Sequence, residues 1–205
     1  MPTILVTGFG PFPGAAFNPT GPLVHSLAHV RTPGTKLKIV THVFETSYEA
    51  VDRDLPVLMK KHKPDALLMF GLAARRRKLS IETVARNSLG RTPDATGKIA
   101  KAKAIEPGAK DAPMQTPAYA LLASAQSAGV PAAISRNAGN YLCNYLIWRA
   151  TALAGQKGPR YAAFIHVPAL KPGNRTTKVT RRVIDANALK MAGEAMLLAL
   201  AAQLR

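Results

Sequence analysis

A single cysteine, Cys143, stands among 205 residues, and only 11 acidic side chains face 28 lysines and arginines. One thiol cannot close an internal disulfide or build a thiolate zinc site, so the disulfide-scaffold and zinc-ribbon classes are excluded. Aromatic residues make up 6% of the chain, and none interleaves with the basic clusters at Arg75–Lys78, at Lys98, Lys101 and Lys103, or from Lys171 to Arg182. A single-strand nucleic-acid binder needs that stacking platform. Without it the net charge of +17 reads as a solvated basic surface that attracts anions weakly, and nucleic acid is not the expected partner. Long apolar runs are also missing. The longest, near Ala195–Ala202, falls well short of the ~20 residues that span a bilayer. The opening MPTILVTGFG carries no basic segment ahead of its apolar run and reads as a strand, not a leader peptide. The expectation is a cytoplasmic protein with no membrane contact, folded as one domain over 1–205.

What is present is alternation. Residues 2–8, 65–71, 130–135 and 161–167 are apolar runs that suit buried strands, and 36–44 alternates as a half-buried strand does. Helical spacing covers 20–30, 116–128 and 142–153, and an alanine-rich stretch runs from about Thr177 to Gln203. Between Tyr48 and His62 the helical pattern meets Pro56, and Asp54 offers a cap for a restarted helix there. A short strand is expected over 81–87, followed by an aperiodic loop over 88–116 rich in Lys, Gly and Pro. The order of elements predicts an α/β fold, a three-layer α/β/α sandwich around a mostly parallel twisted central sheet.

Open sheets of this kind gather their chemistry in the loops after strand carboxyl ends. Four segments qualify. In GFGPFPG the spacing of Gly8, Gly10 and Gly14 matches neither a dinucleotide fingerprint nor a P-loop, but Phe9 and Phe12 either pack back into the core or floor a flat apolar pocket. In NAGNYLCN, Cys143 falls at the start of a helix, where free N–H groups and the helix dipole favour a thiolate and suit an oxyanion; the alternative is a small buried hydrophobe. In FIHVP, His166 is either a satisfied core histidine or the base for that thiol. In LSIETVARN, Glu82 either orients such an imidazole or pairs with one of the many arginines. His25 and His29 have the spacing of one helical face but no further ligand, so no metal is expected.

Taken together, TGFGPF with the later Asn18-Pro19, GLAARRRKLSIETVARN, RTPD, NAGNYLCN and FIHVP resemble the pyroglutamyl peptidase I (pyrrolidone carboxyl peptidase) family of cysteine peptidases. The likeness runs through nearly the whole chain. It implies an α/β/α sandwich, no cofactor, and peptide substrates that begin with pyroglutamate. By the same resemblance Cys143 is the nucleophile, His166 the general base and acid, and Glu82 the orienting carboxylate. Phe9 and Phe12 would line the pyroglutamyl pocket, Asn18, Gly71, Leu72 and Leu142 would complete the substrate side, and Arg91 would help hold the oxyanion. Family members assemble as homo-dimers or homo-tetramers. The chain departs from the family pattern at Gly10, Pro13, Leu72, Arg75, Thr83 and Asn137 and across the lysine-rich 98–116 loop. Two other readings stand beside this one: a basic binding protein on the same scaffold that takes an anionic or nucleic-acid partner through Arg75–Arg77 and the lysine-rich loop, and an amidohydrolase of another small lactam or acyl amide.

Overall fold

Seven consecutive buried residues, TILVTGF, form the first strand, and such a run is stable only with both of its faces covered. A computed structural model describes residues 1–31, 36–154, 158–170 and 184–205. The elements begin with β1 (Thr3–Phe9), α1 (Thr20–Leu27), β2 (Lys38–Phe44), α2 (Tyr48–His62), β3 (Ala66–Leu72), β4 (Leu79–Glu82) and β5 (Val84–Ala85). They continue with β6 (Ala112–Pro113), α3 (Ala118–Ser127), β7 (Ala132–Ser135), α4 (Leu142–Leu153), β8 (Tyr161–Val167) and α5 (Ala186–Ala202).

Six strands make one sheet in the order β2-β1-β3-β8-β4-β7. The first four are parallel, while β4 runs antiparallel to β8 and parallel to β7. One apolar layer joins Ile4, Val6, Leu68, Phe70, Leu79, Ile81 and Ile165 to α1, α3 and α5. The other joins Leu5, Phe9, Leu67, Met69, Ala162 and Phe164 to α2 and α4. Each large aliphatic or aromatic side chain buried in these layers contributes about 1.5–3 kcal/mol. The expected α/β/α sandwich with a mostly parallel sheet is what the chain adopts.

Several boundaries differ from expectation. Helix α2 runs unbroken through Pro56 and is capped by the Ser47 side chain, which accepts from Ala50 N–H at 3.2 Å. Pro56 stands on the exposed face, where water can meet the Asp52 carbonyl that the proline leaves unpaired. Asp54 therefore caps nothing; it takes hydrogen bonds from Arg53 and pairs with His42. Helix α1 ends at Leu27, so His29 does not share a helical face with His25. The 81–87 strand is two pieces, β4 and β5, and β5 pairs with β6 inside the segment expected to be all loop. Asp185 caps α5 at Ala188 N–H, which sets the start of that helix at Ala186. The Lys171–Arg182 cluster and the expected helical start near Thr177 lie outside the described residues.

Candidate active site

Alternation along three neighbouring strands puts the chemistry on one face. Gly71 of β3 and His166 of β8 are register partners, and Ser80 of β4 is the register partner of His166 from the other side. Glu82, two residues beyond Ser80, points the same way and lies diagonal to His166, within reach of a long side chain. The His166 Nδ1 stands 2.8 Å from Glu82 Oε1, with His166 3% exposed and Glu82 fully buried. An ionised carboxylate can only accept, so Nδ1 carries the proton and Nε2 is left as the basic nitrogen. Because β4 is antiparallel to β8, Glu82 lies inside the sheet and not at its carboxyl edge, which is why it is sealed from water.

The thiol comes from above. Helix α4 has no side-chain cap at Tyr141, so the first-turn N–H groups, those of Leu142, Cys143 and Asn144, have no intrahelical partner. The Cys143 Sγ sits over Gly71: a Cβ at that glycine would lie 2.6 Å from Sγ and 2.6 Å from Phe164 Cζ. The bare backbone of Gly71 thus makes the space in which the sulfur stands next to the His166 strand. The turn before α4 is set by Asn137, whose Oδ1 accepts from Gly139 N–H at 3.0 Å, with Gly139 at a positive φ of 80°. Asn144, fully buried, clamps the β5 exit by accepting from Arg86 N–H and donating to the Arg86 and Ser88 carbonyls.

The electrostatics modify the expected thiolate. Burial pushes the Cys143 thiol up to about 12, the Glu82 charge adds to the rise, and Arg76 and the Cys143 N–H oppose it. Part of the cysteine is open to the cleft, yet its sulfur is hemmed in by Gly71 and Phe164, and that enclosure outweighs the helix dipole. The resting group is a thiol. Burial also lowers His166, against the pull of Glu82, and leaves a neutral imidazole at pH 7. For Glu82, burial acts upward, but His166, the Ser135 hydroxyl and Arg76 together hold the carboxyl below its usual range. Among the described residues its Oε2 has no hydrogen-bond partner of normal geometry, and His166 and Arg76 both bond to Oε1.

Beside the sulfur a small cleft is lined by Phe9, Phe12, Asn18, Thr46, Leu72, Tyr141, Leu142 and Cys143. Phe9 satisfies both readings of its sequence, since it packs on Phe44 with ring centroids 5.8 Å apart and also faces the cleft. Asn18 shapes the floor. It donates to the Gly10 carbonyl at 3.0 Å and accepts from Thr20 N–H and Oγ1–H, while Thr46 Oγ1 donates to the same Gly10 carbonyl.

Residues 2–204 match the family model for pyroglutamyl peptidase. The chain belongs to the pyroglutamyl peptidase family. It is 36% identical over 169 residues to the pyrrolidone-carboxylate peptidase of Gloeobacter violaceus, covering 82% of each chain. It is 35% identical over 170 residues to that of Pyrococcus furiosus, covering 80% of each. The crystal structure of Bacillus amyloliquefaciens pyroglutamyl peptidase I superposes with a TM-score of 0.84 at 27% identity over 98% of both chains. The membership makes the chain an enzyme of a cysteine peptidase family. No helix among the described residues is long and apolar enough to cross a membrane.

Of the residues the pyroglutamyl peptidase resemblance singled out, Cys143, Leu142, Phe9, Phe12, Asn18 and Leu72 all line the cleft, the thiol stands over Gly71, and the register partner of Gly71, His166, bonds to Glu82. Arg91 does not join them. It is exposed and makes no side-chain hydrogen bond or ion pair among the described residues; its loop is held on either side, where Gly90 N–H donates to the Asn140 carbonyl and Tyr141 Oη donates to that of Pro93. Sequence reasoning missed Thr46 and Tyr141, which reach the cleft from a strand end and a helix cap. It also missed Asp94, fully buried, which ties the RTPD turn to α2 by accepting from Tyr48 N–H and also accepts from Thr96 and Lys98 N–H. The largest omission is Arg76, which the sequence shows only as the middle of a basic run. Its guanidinium is 2.7 Å from Glu82 Oε1, so Glu82 serves the imidazole and an arginine at once.

Proposed function

We propose that this protein hydrolyses the amide bond that follows an N-terminal pyroglutamyl residue, with Cys143, His166 and Glu82 as its catalytic triad. One observation carries the reading: the Cys143 Sγ occupies the space above Gly71, whose register partner His166 is hydrogen-bonded to the buried Glu82. Names of the relatives point to the same substrate.

The lactam ring of pyroglutamate is flat and has no charged amine, and the cleft offers Phe9, Phe12, Leu72 and Leu142 as walls with Asn18 and Thr46 as the polar groups nearby. In the first step the His166 Nε2 takes the thiol proton as Sγ attacks the scissile carbonyl, because the resting thiol is not itself ionised. The first-turn N–H groups of α4 supply the oxyanion donors. Glu82 stabilises the imidazolium that forms. The imidazolium then protonates the departing amine, leaving a thioester. A water molecule gives its proton to Nε2, its oxygen attacks the thioester, and the thiol recovers the proton as pyroglutamate leaves.

Chromophore release from a pyroglutamyl amide tests the reading. Cys143→Ala is expected to bring release to the background rate, and unchanged turnover in that variant rejects the mechanism. Iodoacetamide supplies a second readout. Alkylation of the free enzyme should keep accelerating above pH 8, without the plateau near neutrality that a preformed thiolate gives.

A further inference from the structure

Arg76 leaves β3 in a run of three arginines, yet it alone of the three turns inward; Arg75 and Arg77 are exposed. One of its nitrogens is 2.7 Å from Glu82 Oε1 and the other donates to the Asn137 carbonyl at 2.6 Å. The Glu82 carboxylate is buried on β4, and Asn137 lies in the turn that carries the chain from β7 into the cysteine helix. We propose that Arg76 is a positioning residue for the reaction, a fork that fixes the carboxylate–imidazole pair relative to the turn that delivers Cys143. The proposal rests on the triad reading above.

Three observations support it. Among the described residues the His166 and Arg76 hydrogen bonds both fall on Glu82 Oε1, so without Arg76 the buried carboxylate would keep only neutral partners, the imidazole and the Ser135 hydroxyl, which is costly. The Asn137 turn is gripped twice, since Arg86 donates to Asn137 Oδ1 at 2.9 Å while Arg76 takes its carbonyl. Arg86 does not reach Glu82, however, and so cannot couple the turn to the triad. Finally, the two contacts diverge from one planar guanidinium, a geometry a lysine ammonium cannot reproduce. Among the described residues the charged groups that act on His166 are Glu82 from β4 and Arg76 from the β3–β4 loop, while the Cys143 thiol from α4 stands over Gly71, the register partner of His166. Arg76 acts to lower the imidazole, so its removal has a signed consequence.

The test compares wild type, Arg76→Ala, Arg76→Lys and Arg77→Ala from pH 5 to 9 on a pyroglutamyl amide. It also follows the His166 ring by NMR through the same range. Arg76→Ala should lose roughly 10–100-fold in kcat with little change in KM, the loss typical of removing a group that orients another. Its acid limb and its His166 titration should both move to higher pH. Guanidinium ion, admitted because Arg76 is partly exposed, should restore part of kcat, while Arg76→Lys should hold the limb but recover kcat poorly. Arg77→Ala, of equal charge, should match wild type. An unshifted His166 titration in Arg76→Ala overturns the proposal, as does a loss of kcat that follows loss of folded protein with the limb unmoved. Wild-type enzyme inactive on the amide, with the titration shifted, would instead sink the triad reading and leave the positioning of His166 by Arg76 intact.

Discussion

At Gly71 the difference between hydrogen and methyl governs where the sulfur can stand. A Cβ there would press on Cys143 Sγ and on the fully buried Phe164 ring at 2.6 Å each, and neither is the free end of a flexible side chain. Gly71→Ala is therefore expected to rotate the thiol away from His166 and to lower kcat/KM by about 100-fold, since a displacement near 1 Å is enough for such a loss. The fold should persist at a cost of roughly 1–3 kcal/mol for the overpacked site. Gly10 gives the contrast. A methyl there meets only the Phe44 carbonyl at 3.6 Å, so Gly10→Ala should leave the thermal midpoint and the alkylation rate of Cys143 near wild type. Measuring both variants side by side separates a glycine needed for space from one that is merely tolerated. Cys143, His166 and Glu82 stood out as candidates in the sequence because each has an unusual setting: one thiol, a histidine in an apolar strand, an acid in an acid-poor chain. Arg76 was not legible, because one arginine among 28 basic side chains carries no mark of its partner.

Elements carry the next layer. Strand and helix positions followed from periodicity, since 2–8, 36–44 and 161–167 fall on β1, β2 and β8 and 142–153 coincides with α4. Strand direction did not, because a buried apolar run looks the same whether its neighbour is parallel or antiparallel. That is why β4 was expected to end at the carboxyl edge of the sheet, whereas its reversal carries Glu82 inward to Phe164. Pro56 misled for a related reason: a proline breaks a helix only where the orphaned carbonyl cannot be solvated. The contact between α4 and the end of β5 is a polar joint. Asn144 makes three hydrogen bonds there, and Asn87 beside it pins the long loop through the Glu106 and Ala109 carbonyls. Asn144→Ala would leave two carbonyls and an N–H without this partner in a half-buried interface, a cost on the order of 3 kcal/mol. In a chain of this size that lowers the thermal midpoint by roughly 6–12 °C. Calorimetry should show the drop, and protease nicking should first appear in the released 88–111 loop. A shift within 2 °C of wild type would mean the clamp is not what holds the loop.

For the whole molecule the scarcity of acid becomes a pH response. The chain carries +17 with its carboxylates ionised, so each carboxylate that protonates adds to self-repulsion. Most of its few acids are engaged: Asp52 with Arg149 and Tyr145, Asp65 with Thr3 N–H, Asp94 with the RTPD turn, and Glu82 with the site. Asp94 and Glu82 are both held below the usual range, the first by hydrogen bonds from Thr96, Tyr48 and Lys98 that outweigh its burial, the second by His166, Ser135 and Arg76. A lowered carboxyl contributes stability that is present above its unfolded value and disappears as pH falls through its folded one. His166 acts earlier on the same descent. Its folded value lies below the 6.5 of the unfolded chain, so the unfolded state gains a proton first and stability declines once pH drops under about 6.5. Denaturant unfolding between pH 8 and 3 should therefore show two declines, a shallow one beginning near 6.5 and a steeper one below about 4.5. Substituting His166→Gln removes the first titration and should flatten the upper decline, and it should shrink the lower one only by the part that His166 gives Glu82, leaving that of Asp94. Added salt should soften the lower decline, where self-repulsion between exposed charges is screened within about 8 Å at physiological ionic strength, and should leave the upper one in place because His166 and Glu82 interact out of reach of solvent ions. A single decline, equally sensitive to salt throughout, would show that general charge and not the buried pair governs how this protein meets acid.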